Sequence, residues 1–122
     1  MRTKKIKIQD PLCSVDYAFR RIGGKYKGRL IWYLHQRTVM RYGELRRAIA
    51  DITPKMLTQT LRELEEDKLI HREVFHEVPP RVEYSLTTFG KELIPFIDHL
   101  RIWGEKRMKQ ENIPIISSDK SC

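Results

Sequence analysis

The sequence predicts a single α+β domain made mostly of helices, and three observations support this fold class. Apolar residues recur every three or four positions through most of residues 14–67 and again through 87–110, as in helices with one buried face. Between these regions, segments 70–75 and 81–86 are rich in strand-forming residues and are separated by a loop containing two prolines. A chain of 122 residues is too short for two independent cores.

Positive charge exceeds negative charge, with 24 Lys and Arg against 16 Asp and Glu and a formal net charge of +8. The excess is concentrated near the front, where residues 20–29 hold five basic side chains and no acid. Basic patches attract polyanions because each phosphate contact releases counterions. The charge alone indicates a nucleic acid or an anionic lipid as partner, or simply a solvated face.

Several protein classes are poor interpretations of this sequence. No stretch approaches the roughly 18 apolar residues of a membrane span, and the basic N-terminus lacks the apolar run of a signal peptide. Cys13 and Cys122 lie at opposite ends of the chain and form no disulfide framework, which fits a reducing compartment. We therefore expect a cytoplasmic protein that has no membrane partner.

The first part of the chain predicts a flexible basic arm over 1–12 and then two helices. Ser14 is the expected N-cap of a short helix with Val15, Phe19 and Ile22 on its inner face, which ends at the pair of glycines that follows. A second helix is expected over about 25–36. Gly28 in its interior lowers helix stability by about 1 kcal/mol relative to alanine.

The middle of the chain predicts a helix-turn-helix followed by a hairpin. A short helix is expected over 40–50, with Leu45 and Ile49 facing inward. Thr53 is the expected N-cap of the next helix, which has Pro54 at its first position and continues to about residue 67. The two strand-like segments come directly after this motif, as the wing does in a winged helix.

The last part of the chain predicts one long helix and a polar tail over 111–122. Thr87 or Thr88 is the expected N-cap, and apolar residues recur at helical spacing as far as about residue 110. Pro95 should kink this helix, because proline has no N–H to donate and its ring crowds the preceding turn.

The second helix of the motif has a composition that suits the major groove of DNA. Leu57, Leu61 and Leu64 share one stripe. The opposite stripe carries Lys55, Gln59, Arg62 and Glu66, with the acid at its C-terminal end. Gln pairs naturally with adenine, and Arg or Lys with guanine. The open alternative is an ordinary amphipathic helix with a mixed solvated face.

The wing offers two further candidate contacts, because His76 and Arg81 flank its loop. Either could reach a minor groove or a phosphate, or could pair with Glu77 or Glu83 on the hairpin itself. The complete set of candidate DNA-binding residues is Arg46, Thr53, Lys55, Met56, Thr58, Gln59, Arg62, His76, Pro80 and Arg81.

Collinear motifs over roughly residues 13–104 resemble the HxlR family of bacterial winged-helix regulators, which is related in architecture to MarR-type proteins. They are Cys13-Ser-Val, Ile22-Gly-Gly-Lys-Tyr-Lys27, Arg41-Tyr-Gly-Glu-Leu-Arg46, Ile52-Thr-Pro-Lys-Met-Leu-Thr58, Leu61-Arg-Glu-Leu-Glu65, Val78-Pro-Pro-Arg-Val-Glu-Tyr-Ser-Leu86, Thr88-Phe-Gly90 and Leu93-Ile-Pro95. One departure is Gly28, an unusual choice within a helix.

The resemblance implies a homodimeric transcription factor that binds double-stranded, pseudo-palindromic operator DNA and is associated with the nucleoid. It assigns the first and last helices to dimerisation, and the segments around 54–67 and 70–86 to the recognition helix and the wing. The candidate dimer residues are Val15, Phe19, Leu93, Ile97, Leu100 and Trp103. The competing interpretation is that these residues pack in the core of one subunit.

Cys13 falls where family members that sense oxidants or electrophiles carry their reactive thiol. It also lies just before the start of a helix, whose dipole favours a thiolate. The resemblance therefore makes Cys13 a candidate redox-sensing residue and an oxidant or electrophile a candidate effector. The alternative role is packing, because a cysteine is also a small apolar residue.

Other chemistry is not indicated by the sequence. The four histidines have no metal-ligand spacing with one another or with either cysteine, and no phosphate loop or serine nucleophile motif stands out. We therefore predict no metal, no cofactor and no enzymatic activity. A thiol enzyme is disfavoured, and the main alternative function is a winged-helix module that binds another protein without reading DNA.

Overall fold

The computed structural model describes residues 10–116 of the chain. Its elements, in chain order, are α1 Ser14–Ile22, α2 Lys27–Arg37, β1 Met40–Arg41, α3 Tyr42–Ala48, α4 Pro54–Glu66, β2 Ile70–Phe75, β3 Arg81–Leu86, α5 Thr88–Glu92 and α6 Ile94–Gln110. This is a mostly helical α+β fold, as predicted. Most of the predicted basic arm and Cys122 lie outside the described residues.

One core connects the helix-turn-helix with the sheet and the flanking helices. Leu57, Leu61 and Leu64 are at most 3% exposed, so the predicted inner stripe of α4 is confirmed. The wing is also confirmed, because β2 and β3 pair antiparallel with Ile70 opposite Leu86 and Phe75 opposite Arg81. The helix-turn-helix and the wing therefore belong to one packed unit.

The predicted helix over 40–50 is wrong at its start. Met40 and Arg41 form a short strand, β1, which pairs with Tyr84 and Glu83 of β3 and gives the sheet the order β1-β3-β2. The helix begins only at Tyr42, where the Glu44 carboxylate accepts a hydrogen bond from the Arg41 N–H at 2.8 Å. The spacing of apolar residues cannot distinguish two strand residues from a helical turn, because β1 forms a strand only by pairing with β3.

The predicted cap of the first helix is also corrected. Cys13, and not Ser14, is the N-cap, and its Sγ accepts a hydrogen bond from the Asp16 N–H at 3.5 Å. Of the three predicted inner residues, Ile22 is buried, whereas Val15 and Phe19 are 61% and 52% exposed. Most of α1 therefore presents its apolar side chains to solvent.

The last predicted helix is two helices. Thr87 is the N-cap of α5, which ends at Glu92, and α6 begins at Ile94 with Pro95 in its first turn. A proline fits the first turn of a helix because the N–H that it lacks would have no partner there. The predicted kink is therefore a break between a short helix and a long one.

The loop between α3 and α4 is held against α2 by Asp51. The Arg29 guanidinium donates two hydrogen bonds to its carboxylate, at 2.9 and 3.3 Å, and the Lys25 ammonium lies at 3.4 Å. These partners, Arg29 foremost, lower the pKa of Asp51 from 3.8 to about 2. The acidic side chain therefore stabilises the folded state only where it is ionised.

The pH dependence of stability should reveal this contribution. Because the pKa of Asp51 is lower in the folded state, its contribution to the free energy of unfolding is complete above about pH 4. The contribution is lost as the pH falls towards about 2. We expect Asp51→Asn to lower the melting temperature at pH 5 and to have progressively less effect down to pH 2. A difference from wild type that stayed constant across this range in thermal melts would contradict the assignment.

Candidate nucleic-acid interface

The start of α4 is fixed by a cap and by a contact from α3. Thr53 Oγ1 accepts a hydrogen bond from the Met56 N–H at 3.1 Å. The Tyr42 hydroxyl donates to the Pro54 carbonyl oxygen at 3.2 Å and lies 3.4 Å from Thr58 Oγ1. These contacts set the angle between the two helices of the motif and leave the N-terminal end of α4 exposed.

The outer face of α4 presents most of the predicted recognition residues to solvent. Lys55, Thr58, Gln59 and Arg62 are exposed, and Met56 is 42% exposed. They project outward because the three leucines of the opposite stripe are buried in the core. This face can enter a groove with its basic, N-terminal half first, where the helix dipole favours phosphate.

Five cationic side chains on α3, α4 and β2 form what we call the open basic surface. All five are exposed, and their side chains have no hydrogen bond or ion pair with other residues in the range 10–116. These residues are Arg46, Arg47, Lys55, Arg62 and Arg72. Some other cations are compensated within the chain, such as Arg29 by Asp51 at 2.9 Å and Arg101 by Asp98 at 2.9 Å. Positive charge is thus available to a polyanion on the helix-turn-helix and the adjoining strand.

Arg72 was missed by the sequence reasoning. It lies on β2 opposite Tyr84 and lines the same cleft of about 350 Å³ as Tyr42, Thr58 and Arg62. This cleft separates α4 from the sheet, so Arg72 extends the basic surface from the recognition helix towards the wing. The available signal was the alternation of β2, because Arg72 occupies the same face as the buried Ile70.

Gln59 is engaged along its own helix. Its Nε2 donates a hydrogen bond to Glu63 Oε2 at 2.7 Å, and Lys27 pairs with the other carboxylate oxygen at 3.1 Å. The Gln59 amide, followed by Lys27, lowers the pKa of Glu63. The Glu63 carboxylate thus reaches back one turn along α4 and is compensated there by Gln59 and by Lys27.

The wing has an exposed tip and a tethered arginine. His76 and Pro80 are exposed, and Val78 at the tip is 99% exposed. Arg81, in contrast, lies between Glu77 at 3.4 Å and Glu83 at 3.3 Å, with its guanidinium 4.1 Å from the centre of the Phe75 ring. Of the two roles considered for Arg81, a DNA contact and an ion pair within the hairpin, the structure shows the ion pair.

The predicted dimer residues divide into two groups. Val15, Phe19, Leu100 and Trp103 are exposed, and the Phe19 ring lies edge-on to Phe96 at 6.1 Å, which packs α1 against α6. Ile97 is 9% exposed and belongs to the core of the single chain, and Leu93 is partly buried against that core. The first group forms an apolar surface that nothing in the described chain covers.

Cys13 is exposed at the N-cap of α1 and has no disulfide partner within residues 10–116. Over that range, no group of His, Cys, Asp and Glu is arranged to hold a metal ion. None of the helices over the same residues is long and apolar enough to cross a membrane.

A helix-turn-helix with a wing and an open basic surface defines a DNA-binding protein of the winged-helix class. The family model described as HxlR-like helix-turn-helix matches residues 21–112. The chain belongs to this family of transcriptional regulators, as the resemblance implies.

Known proteins agree with this assignment. The uncharacterized HTH-type transcriptional regulator YdeP of Bacillus subtilis (strain 168) is 51% identical over 94 residues, which cover 77% of this chain and 73% of YdeP. The redox regulator HypR is similar in its reduced form, with a TM-score of 0.77, 46% identity and coverage of 82% of this chain and 99% of HypR. Its oxidized form gives a TM-score of 0.74, 48% identity and coverage of 77% and 96%.

Proposed function

We propose that this transcriptional regulator is a homodimer that reads a pseudo-palindromic operator, with one α4 helix in each of two successive major grooves. The observation that carries the proposal is the open basic surface, which places uncompensated cations on the helices and the strand that would face DNA. What favours DNA over a protein partner is that these cations gather on the helix-turn-helix and the adjoining strand, as in the electrostatic footprint of a nucleic-acid-binding domain. Arg46, Arg47 and Arg72 would contact phosphates, and Lys55, Gln59 and Arg62 would reach base edges.

The direct test is a binding titration against a pool of genomic DNA fragments. We expect selective binding whose affinity falls steeply with salt, by about 0.9 log units per log unit of salt for each phosphate neutralised. A fragment enriched from the pool should contain two half-sites about one helical turn apart. Absence of selective binding at every salt concentration would instead favour the protein-interaction module.

Dimerisation is proposed through the uncovered apolar surface of α1 and α6. Trp103 is 61% exposed, and large aromatic side chains contribute most to the affinity of protein interfaces. We expect Trp103→Ala to weaken self-association by about tenfold in sedimentation experiments, since about 1.4 kcal/mol corresponds to that factor. Ile102→Ala is the matched control, because Ile102 is exposed on another face of the same helix; an equal effect of both substitutions would argue against this surface.

Redox control through Cys13 is a second proposal, and the exposure of this thiol at the N-cap of α1 supports it. The chain holds only two cysteines, so a protein disulfide of Cys13 joins it to Cys122 or to Cys13 of a second copy. In that reaction two thiols lose two electrons and two protons to an oxidant such as diamide, and an S–S bond forms. The relative HypR is named a redox regulator, in oxidized and reduced forms.

The same DNA titration tests this second proposal when diamide is added. We expect the affinity of the wild type to change on oxidation and to recover with dithiothreitol, whereas Cys13→Ser should not respond. Cys122→Ser separates the two pairings, because it blocks only the disulfide that uses the tail cysteine. Binding that is indifferent to diamide in all three proteins would leave Cys13 with its capping role alone.

A further inference from the structure

A cavity of about 500 Å³ lies between α2 and α6, and none of its lining residues belongs to α3, α4 or the wing. Cavities of roughly 300–1,000 Å³ are typical of small-molecule sites. Most of the wall is apolar, and its large side chains are Ile22, Trp32, Ile97, Leu100, Met108 and Ile116. The segment after α6 closes one side, since Pro114 and Ile115 also line the cavity.

Two glycines in helices face this cavity and have no other structural explanation. Gly28 lies in α2 and Gly104 in α6, where glycine is less stable than alanine. Among residues 10–116, a Cβ at Gly104 would meet no atom within 4 Å, and a Cβ at Gly28 would only touch the Ile22 carbonyl oxygen at 4.0 Å. Packing among these residues therefore requires neither glycine, and both leave space in the same cavity.

The charged residues along the cavity compensate one another. Lys25 and Arg29 pair with Asp51 at 3.4 and 2.9 Å. Arg101 pairs with both Asp98 and Glu105 at 2.9 Å. An ionised ligand would find no uncompensated partner here and would lose its hydration, so the lining favours an uncharged molecule.

The cavity and the proposed dimer surface lie on adjoining faces of α6 and share Leu100. Consecutive residues of an α-helix point about 100° apart. Ile97 and Gly104 line the cavity, whereas their neighbours Phe96 and Trp103 lie on the uncovered apolar surface of α6. A second copy seated on Phe96 and Trp103 would therefore border the cavity at Leu100 and leave the face of α6 that carries Ile97 and Gly104 to a small molecule.

We propose that this cavity binds an uncharged, largely apolar small molecule with an aromatic ring, which packs against Trp32 between Gly28 and Gly104. Such a ligand would touch α2, which packs in the core of the helix-turn-helix, and α6, which is proposed to dimerise. Its occupancy would alter the angle between these helices and so the separation of the two recognition helices; this consequence rests on the proposed function, whereas binding itself does not.

The experiment uses the uncharged aromatic probe N-phenyl-1-naphthylamine and the full-length protein without DNA. We expect saturable binding by the wild type, with about one probe per chain. Gly104→Leu should weaken it at least tenfold, because the new side chain would occupy the cavity. Lys106→Leu is the matched control, since it adds a leucine at an exposed position of the same helix outside the lining, and it should bind the probe as the wild type does.

Energy transfer from tryptophan to the bound probe provides an independent measurement. In Trp103→Phe the remaining tryptophan is Trp32, and transfer falls with the sixth power of distance, so nearly complete quenching of Trp32 at saturation would place the probe against this wall. If Gly104→Leu fails to fold by circular dichroism, this quenching decides the question alone. Unsaturable binding, equal affinity in Gly104→Leu and wild type, or absent or only partial quenching of Trp32 at saturation would each overturn the proposal. Loss of dimerisation in Gly104→Leu with unchanged probe affinity would also overturn it and would make the cavity a seat for a second copy.

Discussion

Gly90→Ala should destabilise the protein by about 3 kcal/mol or more, a large part of the total stability of a domain of this size. A Cβ at this position would overlap the Leu69 carbonyl oxygen at well under 3.0 Å and would press on Leu86 Cδ2 at 3.2 Å. The obstacle is backbone rather than a flexible side chain, so α5 would have to move away from the end of α4 and from β3.

The hydrogen bonds around Gly90 explain why this movement is costly. The Leu69 carbonyl oxygen accepts from the Thr87 N–H at 3.1 Å, and Thr87 Oγ1 accepts from the Gly90 N–H at 3.1 Å. The same hydroxyl donates to the Lys68 carbonyl oxygen at 2.6 Å. Displacement of residue 90 would therefore strain the cap of α5 and its connection to the preceding loop together.

Urea unfolding of Gly90→Ala and of a control glycine variant would measure the effect. Gly43→Ala is the matched control, because a Cβ there would meet only the end of the Arg47 side chain at 3.5 Å. The control should be neutral or slightly stabilising, since alanine is the better helix former. Equal stability of the two variants would show that the close approach at Gly90 is relaxed in solution.

The elements that local patterns predicted correctly are those whose evidence lies within a few residues. The stripe of Leu57, Leu61 and Leu64, together with the Thr53 cap, specifies α4 without reference to the rest of the chain. Strand β1 could not be predicted in this way, because Met40 and Arg41 become a strand only by pairing with β3. The break at Pro95 was anticipated as a kink, and its extent depends on how α5 and α6 pack.

The residues of the candidate DNA-binding surface also divide into those that local sequence patterns predict and those that only the fold determines. Exposure of Lys55 and Arg62 follows from helical spacing, whereas the partners of a charged side chain depend on the fold. For Arg81 the sequence leaves open a DNA contact or a pair with Glu77 or Glu83, and the structure contains both pairs within the hairpin. Arg72 was overlooked because only the packing of β2 beside α4 brings it to the cleft that contains Arg62. Residue type and helical periodicity predicted that α4 offers contacts to DNA, and the tertiary structure determined which cationic side chains have no ion-pair partner.

Arg62→Ala should weaken binding to the selected operator by about 1–3 kcal/mol and relax the preference for one base. The guanidinium is exposed on the outer stripe of α4 and has no partner among the described residues, so it reaches DNA without first losing an ion pair. An arginine that donates two hydrogen bonds to guanine discriminates by about this amount. Competition titrations against operators substituted at each position would measure both the affinity and the specificity.

Two control variants separate the base-reading role from simple charge. Lys106→Ala removes one positive charge from the exposed side of α6, and it should leave operator affinity nearly unchanged. Arg62→Lys keeps the charge but replaces the rigid planar fork of the guanidinium, which matches the two acceptors of guanine, with a single flexible ammonium. If Arg62 reads a base, Arg62→Lys should bind the operator more weakly than wild type and discriminate less at one position. If Arg62 contacts a phosphate, Arg62→Lys should behave like wild type, and Arg62→Ala should weaken binding to all sequences equally with a smaller salt dependence.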